Sequence, residues 1–533
     1  MINRPSFAKL PELDRRRLLQ IAGGGALGLA FGLALPTPAD AHGSGGFAYP
    51  FTNGVASGDP LEDRVVLWTR IAPDPLAPNG GLNADARVRV DWQVAQDERF
   101  HKVVADGTVV TSPDTSHTVH VDVSGLKAGH QYFYRFRAGG HISETGRTWT
   151  APPTHSMRPL RFAVASCQNW RAGYFQTMRD AVDQGAELMM FVGDYIYEYA
   201  VEQLPVGRLI DPNLPAEVVP TTVALDQYRL RYALYKTDPD LLLAHQAMPW
   251  ILTWDDHEVA NDYESWKTPD PLRRAAAYRA YWEFMPIRWP QAPAGADARL
   301  YRRFRYGQLA QIDVLDTRQY RAPMAMNGGT LTDDGPRRDP SMVLLGAEQE
   351  QWFTRGLGAV PARWNIAAQQ ILMTRLNTAA DPEKPATFSA GTWDGYQAGQ
   401  QRFFDTVAAA EKRGSVRNFV VMSGDVHCSY ISDLPRSTLD PTAGVIGAEF
   451  TSTSISSAQD FDPKANEARQ VRRRVNPTLK WADLHCGYVL ADLTADRMAV
   501  DIRVVDKVSV HDDPVFTGAS FVVEDRVAGV TAV

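Results

Sequence analysis

The feature that most constrains this chain is a set of short apolar runs, each stopping on residues able to hold a cation or move a proton. Leu160-Arg161-Phe162-Ala163-Val164-Ala165 ends on Ser166-Cys167-Gln168, and the run through Met189, Met190 and Phe191 ends on Gly193-Asp194-Tyr195-Ile196-Tyr197-Glu198. A third ends at Trp254-Asp255-Asp256-His257-Glu258. A fourth, Phe419-Val420-Val421-Met422-Ser423, ends on Gly424-Asp425-Val426-His427-Cys428. Runs of this length read as buried strands, and Tyr174 to Asp183 between the first two reads as a helix. Strands alternating with helical segments indicate an α/β layered domain, whose strand carboxyl ends line one rim where ligands bind. Taken singly, each ending has an ordinary explanation. Asp194, Asp255 or Asp256 could cap a helix, and His427 could be a hydrogen-bonded core histidine. Four such endings in one domain point instead to a metal or catalytic site.

The text before this region has a different grammar. From Phe47 to about Pro153, runs such as Arg64 to Arg70, Val88 to Val94 and His117 to Val123 alternate apolar and polar residues between Pro, Gly, Asn and Asp clusters. That pattern suggests antiparallel strands in a sandwich. Gly125-Leu126-Lys127-Ala128-Gly129 followed by a strand with aromatic Tyr132, Tyr134 and Phe136 resembles the corner of a fibronectin-III or immunoglobulin-like module. His117, His120, His130 and His141 fall at strand positions expected to be solvated edges, not ligands. Ala151-Pro152-Pro153-Thr154 reads as a linker, giving an all-β unit over 42–153 and an α/β unit over 154–533. At 533 residues the chain is too long for one ordinary core. Segments 205–220 and 322–340, rich in Pro, Gly and Asp, read as long surface loops or lids.

At the N-terminus, Asp14-Arg15-Arg16-Arg17-Leu18-Leu19-Gln20 precedes a Gly/Ala-rich apolar stretch from Ile21 to Leu35 and then Ala39-Asp40-Ala41. This order of charged region, short apolar core and small-x-small site is that of an export leader. The apolar core falls short of the roughly 20 residues of a membrane span. The arginine pair beside leucines resembles a twin-arginine (Tat) signal, whose substrates are exported folded. Residues 1–41 are therefore expected to be a leader read by the Tat translocase, with a mature chain from about His42 that is periplasmic or extracellular and keeps no membrane span. A net charge of -7 gives no overall attraction to nucleic acid or anionic membrane. Three cysteines, Cys167, Cys428 and Cys486, are too few for a disulfide framework, and the odd number leaves at least one unpaired; folding in a reducing cytoplasm before export would suit a cysteine kept as a thiolate ligand. Cys428 and Cys486 fit a disulfide or two buried thiols equally well.

The order Gly-Asp, Asp-His-Glu, Gly-x-x-His resembles the calcineurin-like metallophosphoesterases, which fold as a four-layer α/β/β/α sandwich. Here Cys167 stands for the usual first carboxylate, Asp256 for an asparagine and Asp425 for a histidine. With the leader and the preceding β-sandwich, the chain resembles the PhoD-type alkaline phosphatases over essentially its whole length after the leader. The fold expected is thus an α/β four-layer sandwich preceded by an immunoglobulin- or fibronectin-III-like β domain.

The resemblance implies that Asp194 bridges two metals, with Cys167, Tyr197 and His427 completing the first site. Thiolate, phenolate and imidazole are donors that favour ferric iron. The second site would use Asp194, Asp256 and Asp425. No histidine occurs between Glu258 and Val426, so oxygen donors must complete it, which favours calcium. Asn261, Asp262 and Gln370 are candidates, and Asp255 and Glu258 are candidates for a further calcium. The family's Fe(3+) and Ca(2+) agree with this donor set. His257 takes the place of the family histidine that faces the reacting phosphate, where it would stabilise charge or protonate the leaving group. Asn169 and Arg171 are candidate phosphate contacts, Arg171 being equally a plain helix-start cation. The activity implied is hydrolysis of phosphomonoesters or phosphodiesters by a metal-activated hydroxide. Two rivals are a thiol hydrolase with Cys167 as nucleophile, and an inactive secreted binding protein. The first leaves Asp194, Tyr197, Asp256 and Asp425 without a purpose.

Overall fold

The computed structural model describes residues 48–208, 214–264, 270–333, 335–379 and 381–533. The leader expected over 1–41 lies outside the described residues.

Two β-sheets lie face to face and helices cover both outer surfaces, giving four layers. At the centre of the ten-stranded sheet, Leu160–Ala165, Leu188–Phe191 and Pro249–Leu252 run parallel. The antiparallel strands Cys486–Leu493, Arg497–Val505 and Phe516–Glu524 extend it on one side. The seven-stranded sheet has a parallel core of Ala310–Val314, Trp364–Ala368, Asn418–Ser423 and Val445–Thr451. The strands Ser429–Pro435 and Leu479–Asp483 close one edge antiparallel.

Strand alternation explains why these runs are nearly all apolar. Phe162 and Val164 point into the space between the sheets, where they meet Met190, Ile366, Val420 and Met422. Their neighbours Ala163 and Ala165 face outward, and their small side chains let Phe175, Met178 and Tyr232 approach from the helical layer. Truncating the fully buried Met190 to alanine would cost about 2–5 kcal/mol. The helices Gln176–Asp183, Leu225–Tyr235, Pro239–Ala247 and Pro271–Phe284 cover the larger sheet. Gly346–Gly356 and Gln397–Lys412 cover the smaller, with Phe353, Phe403 and Phe404 against Phe419 and Val421.

The N-terminal sandwich shares a sheet with this frame. Val55–Gly58 pairs parallel with Pro249–Leu252, with Ser57 opposite Pro249, and Arg64–Arg70 and Thr118–Ser124 follow antiparallel. Across a core of Val65, Leu67, Val121, Val90, Val94 and Phe136 lies the second sheet, built on Val88–Ala95, Val103–Thr111 and Gln131–Ala138. The corner forms where the sequence suggests one: Tyr132 Oη accepts a hydrogen bond from Lys127 N at 2.9 Å. Of the four histidines expected to be solvated, His117 is buried and His120 half-buried. His117 lies under the sandwich beside Thr111. His120 stacks on Trp282 at 4.5 Å and bonds the carbonyls of Trp282 and Met285, because it faces the helical layer and not solvent.

Cys428 and Cys486 are free thiols in separate small apolar clusters. Among the described residues no helix is long and apolar enough to cross a membrane.

Candidate metal centre

The parallel strands of both sheets bring their carboxyl ends to one rim. Cys167 follows Leu160–Ala165, Asp194 follows Leu188–Phe191, and Asp255, Asp256 and His257 follow Pro249–Leu252. Asp425 and His427 arrive from Asn418–Ser423 of the other sheet. The exits are sharp: Cys167, Asp194, Asp425 and His427 all have positive φ, of 59°, 57°, 69° and 49°. Such conformations cost non-glycine residues of the order of 1–3 kcal/mol each and persist only where surroundings impose them. The surroundings here are specific. Cys167 N donates to Gly193 O at 3.0 Å and Gln168 N to Asp194 O at 3.1 Å. The Glu258 carboxylate accepts from Asp194 N at 3.2 Å, from Asp255 N at 2.8 Å and from Tyr195 N. Gly193 combines a φ of 120° with a site where a Cβ would meet the Asp255 Cβ at 2.4 Å, so no other residue fits there.

Three groups of candidate ligands result: Cys167 with Asp194 and His427, Asp194 with Asp256 and His257, and Asp255 with Asp256 and Asp425. Within each, the ligand atoms lie within 4.8 Å of one another. Asp194 belongs to the first two. The Tyr197 phenol enters the first group, 3.0 Å from Asp194 Oδ2, 3.0 Å from His427 Nε2 and 2.8 Å from Ser457 Oγ. Among the described residues Asp194 Oδ1 and Asp256 Oδ1 are buried without a hydrogen bond, Asp256 Oδ1 having only the Arg318 guanidinium at 3.4 Å; for Asp194 Oδ1 this costs about 1–3 kcal/mol or more unless something else satisfies it. Burial, and then neighbouring acids, pushes the Asp194 carboxyl well above the carboxylate range; the Cys167 thiol and Tyr197 phenol are driven up by burial and by Asp194. The acids converging here outnumber the cationic side chains, and the donor set fits bound cations.

His257 is placed differently. Its Nδ1 is 2.7 Å from Glu198 Oε2, and the other Glu198 oxygen accepts from Asn261 N at 2.7 Å. Its ring lies 4.1 Å from that of Tyr197 and 5.5 Å from that of Tyr199. Burial opposes its charge, but Asp194, Asp256 and Glu198 outweigh it, so the imidazolium is held well above the ordinary histidine range. His427, half-buried, goes the other way, to about 4, because desolvation and then the charge of His257 disfavour its protonated form.

Some candidates have other engagements. Asp255 pairs with Arg318, a fully buried guanidinium whose Nη2 also reaches Asp425 Oδ1 at 2.8 Å and lies 3.4 Å from Asp256 Oδ1. Burial lifts the Asp425 carboxyl, with Arg318 pulling against it. For Asp256 the burial penalty is overcome by Arg318 and His257, and that carboxyl falls below its usual range. Gln370 Oε1 already accepts from Thr317 N and Oγ1, at 3.0 and 2.6 Å. Asn261 and Asp262 are exposed at the rim beside Asp256, and Asp262 N donates to Asp256 Oδ2. Asn169 Oδ1 accepts from the N–H groups of Arg171 and Ala172, and the Arg171 guanidinium donates to the Arg208 carbonyl. Tyr195 is a packing residue, its Oη 2.7 Å from His245 Nε2. Arg318, Glu198 and Ser457 belong to the centre although the strand-end pattern does not single them out. Arg318 follows a fifth strand end, Leu315-Asp316-Thr317-Arg318, and that was the available signal.

Residues 162–502 match the family described as PhoD-like phosphatase, and residues 39–152 match its N-terminal domain. Alkaline phosphatase D of Bacillus subtilis (strain 168) is 40% identical over 537 residues, spanning 98% of this chain and 89% of that protein. The solved structure of PhoD superposes with a TM-score of 0.84 at 39% identity, over 91% of this chain and 92% of that one. A purple acid phosphatase from yellow lupin (Lupinus luteus) seeds shares the fold at 11% identity, with a TM-score of 0.54 over 90% of this chain and 74% of that one.

Proposed function

The chain belongs to the PhoD-like phosphatase family, and from that premise we propose that it hydrolyses phosphomonoesters or phosphodiesters at an iron–calcium centre built on Asp194. The observation that carries the reading is the convergence of Tyr197 Oη on Asp194 and His427, in the group that also contains Cys167. Thiolate, phenolate, imidazole and carboxylate together suit ferric iron. Asp194, Asp256 and Asp425 offer an all-oxygen set that suits calcium, with Asn261 beside it at the rim. When bound, these ions would supply Lewis-acid charge for the phosphate oxygens and lower the pKa of the attacking water.

The chain's own groups would do the rest. Asp194 and Asp256, each in two of the three ligand groups, would link neighbouring cation sites. Glu198 accepts from His257 Nδ1, which fixes the ring and leaves Nε2 as the nitrogen available for proton transfer. With Nδ1 held by Glu198, His257 would donate a proton from Nε2 to the departing ester oxygen. Arg318 neutralises part of the charge of Asp255, Asp256 and Asp425, so that the cluster tolerates burial. The leader resembles a twin-arginine signal, and export through the Tat translocase to the periplasm or exterior belongs to the same proposal. Asp194→Ala is the direct test: it should abolish hydrolysis of p-nitrophenyl phosphate and release metal. A variant that keeps both would refute the centre.

A further inference from the structure

Beyond the metal centre, the helix Pro463–Gln470 and the turn Val471–Arg474 contain no buried residue, so core packing does not dictate their sequence. They nevertheless carry Arg469, Arg472, Arg473 and Arg474 in a chain whose net charge is -7. Ion pairs near this segment form elsewhere, Lys480 with Asp433 at 2.7 Å and His485 with Asp483 at 2.7 Å. Among the described residues none of the four arginines pairs with a carboxylate. The segment is held instead by side-chain amides: Asn466 Nδ2 donates to the Asp483 carboxylate at 3.0 Å, and Asn476 Nδ2 to Arg472 O at 2.8 Å. These bonds fix the arginines while leaving their charges uncompensated.

The placement ties the cluster to the catalytic rim. Arg469 and Arg472 both donate to Tyr430 Oη, at 3.3 and 3.1 Å. Tyr430 lies three residues after His427, at most about 10 Å away between α-carbons. Arg473 and Arg474, both exposed, border a shallow cavity of about 370 Å³ closed by Asn476 and Leu479. A guanidinium pair anchored on a tyrosine, beside two free guanidinium groups over a polar cavity, is an anion-binding arrangement with forked donors matched to phosphate oxygens.

We propose that this arginine cluster seats a further phosphate of a substrate that carries several phosphodiester units, while one unit occupies the metal centre. The inference rests on the phosphatase reading above and adds to it a second anchoring site, away from the metals, for a flexible phosphodiester chain.

The probe is octathymidylate, used only as a flexible chain of phosphodiesters, tested against the metal-loaded enzyme as an inhibitor of p-nitrophenyl phosphate hydrolysis and by direct fluorescence anisotropy. Arg473→Glu/Arg474→Glu should weaken octathymidylate binding at least ~10-fold, while KM and kcat for p-nitrophenyl phosphate stay within about twofold. Arg473→Lys/Arg474→Lys should retain most of the affinity. For about three neutralised phosphates, wild-type binding should weaken roughly 10–20-fold between about 50 and 200 mM salt, and the glutamate variant should show a shallower dependence. Unchanged octathymidylate affinity in the glutamate variant overturns the proposal. So does an equal loss on p-nitrophenyl phosphate, which would mean general steering or a structural effect. A wild-type enzyme inert on p-nitrophenyl phosphate would defeat the phosphatase reading alone, since the anisotropy titration still reports on the cluster.

Discussion

Arg318 holds Asp255 through two nitrogens, Nε and Nη2, with both side chains only 1% exposed. A charge pair removed this completely from water is worth little against an apolar replacement, yet losing one partner strands the other. Arg318→Met should therefore lower stability by about 3–5 kcal/mol in denaturant titrations. Adding Asp255→Asn should return about 1–3 kcal/mol of that loss, because the two sites are coupled. Strict additivity of the two substitutions would show that the pair does not act as a unit.

His257 and Glu198 separate chemistry from positioning. His257→Ala should reduce kcat by about 10²–10⁴-fold with metal content unchanged, the range lost when a general acid is removed. Glu198→Gln keeps an acceptor for Nδ1 but removes the charge that helps hold the proton, so kcat should fall about 10–100-fold. The alkaline limb of its kcat–pH profile should also move to lower pH, a shift that a merely structural role would not produce.

The structure accounts for what the sequence could and could not disclose. Phe162, Met190 and Val420 announce strands buried on both faces, and an Asp or Cys placed directly after such a strand has only the rim to occupy. That logic reaches Cys167, Asp194, Asp256, Asp425 and His427. It does not reach Arg318, whose role depends on three aspartates from two other strand ends. It includes Glu198 at the end of one run but gives it no role, because Glu198 meets the chemistry through the ring of His257. The shared sheet is equally nonlocal: Ser57 opposite Pro249 joins positions nearly two hundred residues apart, and nothing in either run specifies the other. His120 misleads for the same reason, since its strand alternates correctly but the face taken as solvated is covered by Trp282.

Lys236 supplies a test of stability against pH, remote from the metal centre in its chemistry. It is fully buried, 4.4 Å from the Trp68 ring, and burial pulls its pKa from 10.5 down to about 7. Between those values the unfolded chain binds a proton that the folded chain has released, so this lysine makes the unfolding free energy rise with pH across that window. Its penalty is full below about pH 7 and gone above 10.5. Lys236→Met should stabilise the protein by about 2–5 kcal/mol at pH 7, with the gain shrinking toward pH 10.5, where the wild type has lost the penalty. Denaturant titrations at the two pH values check this, and a pH-independent difference would assign the effect to packing.

The central claim is that Tyr197, with Cys167, Asp194 and His427, binds ferric iron next to a calcium site. The visible spectrum of the purified protein, taken with its metal content, tests it most directly. The account predicts a coloured protein containing iron and calcium, whose phenolate-to-iron absorption is lost in Tyr197→Phe and kept in Tyr199→Phe. A colourless, fully active protein containing only zinc would contradict it.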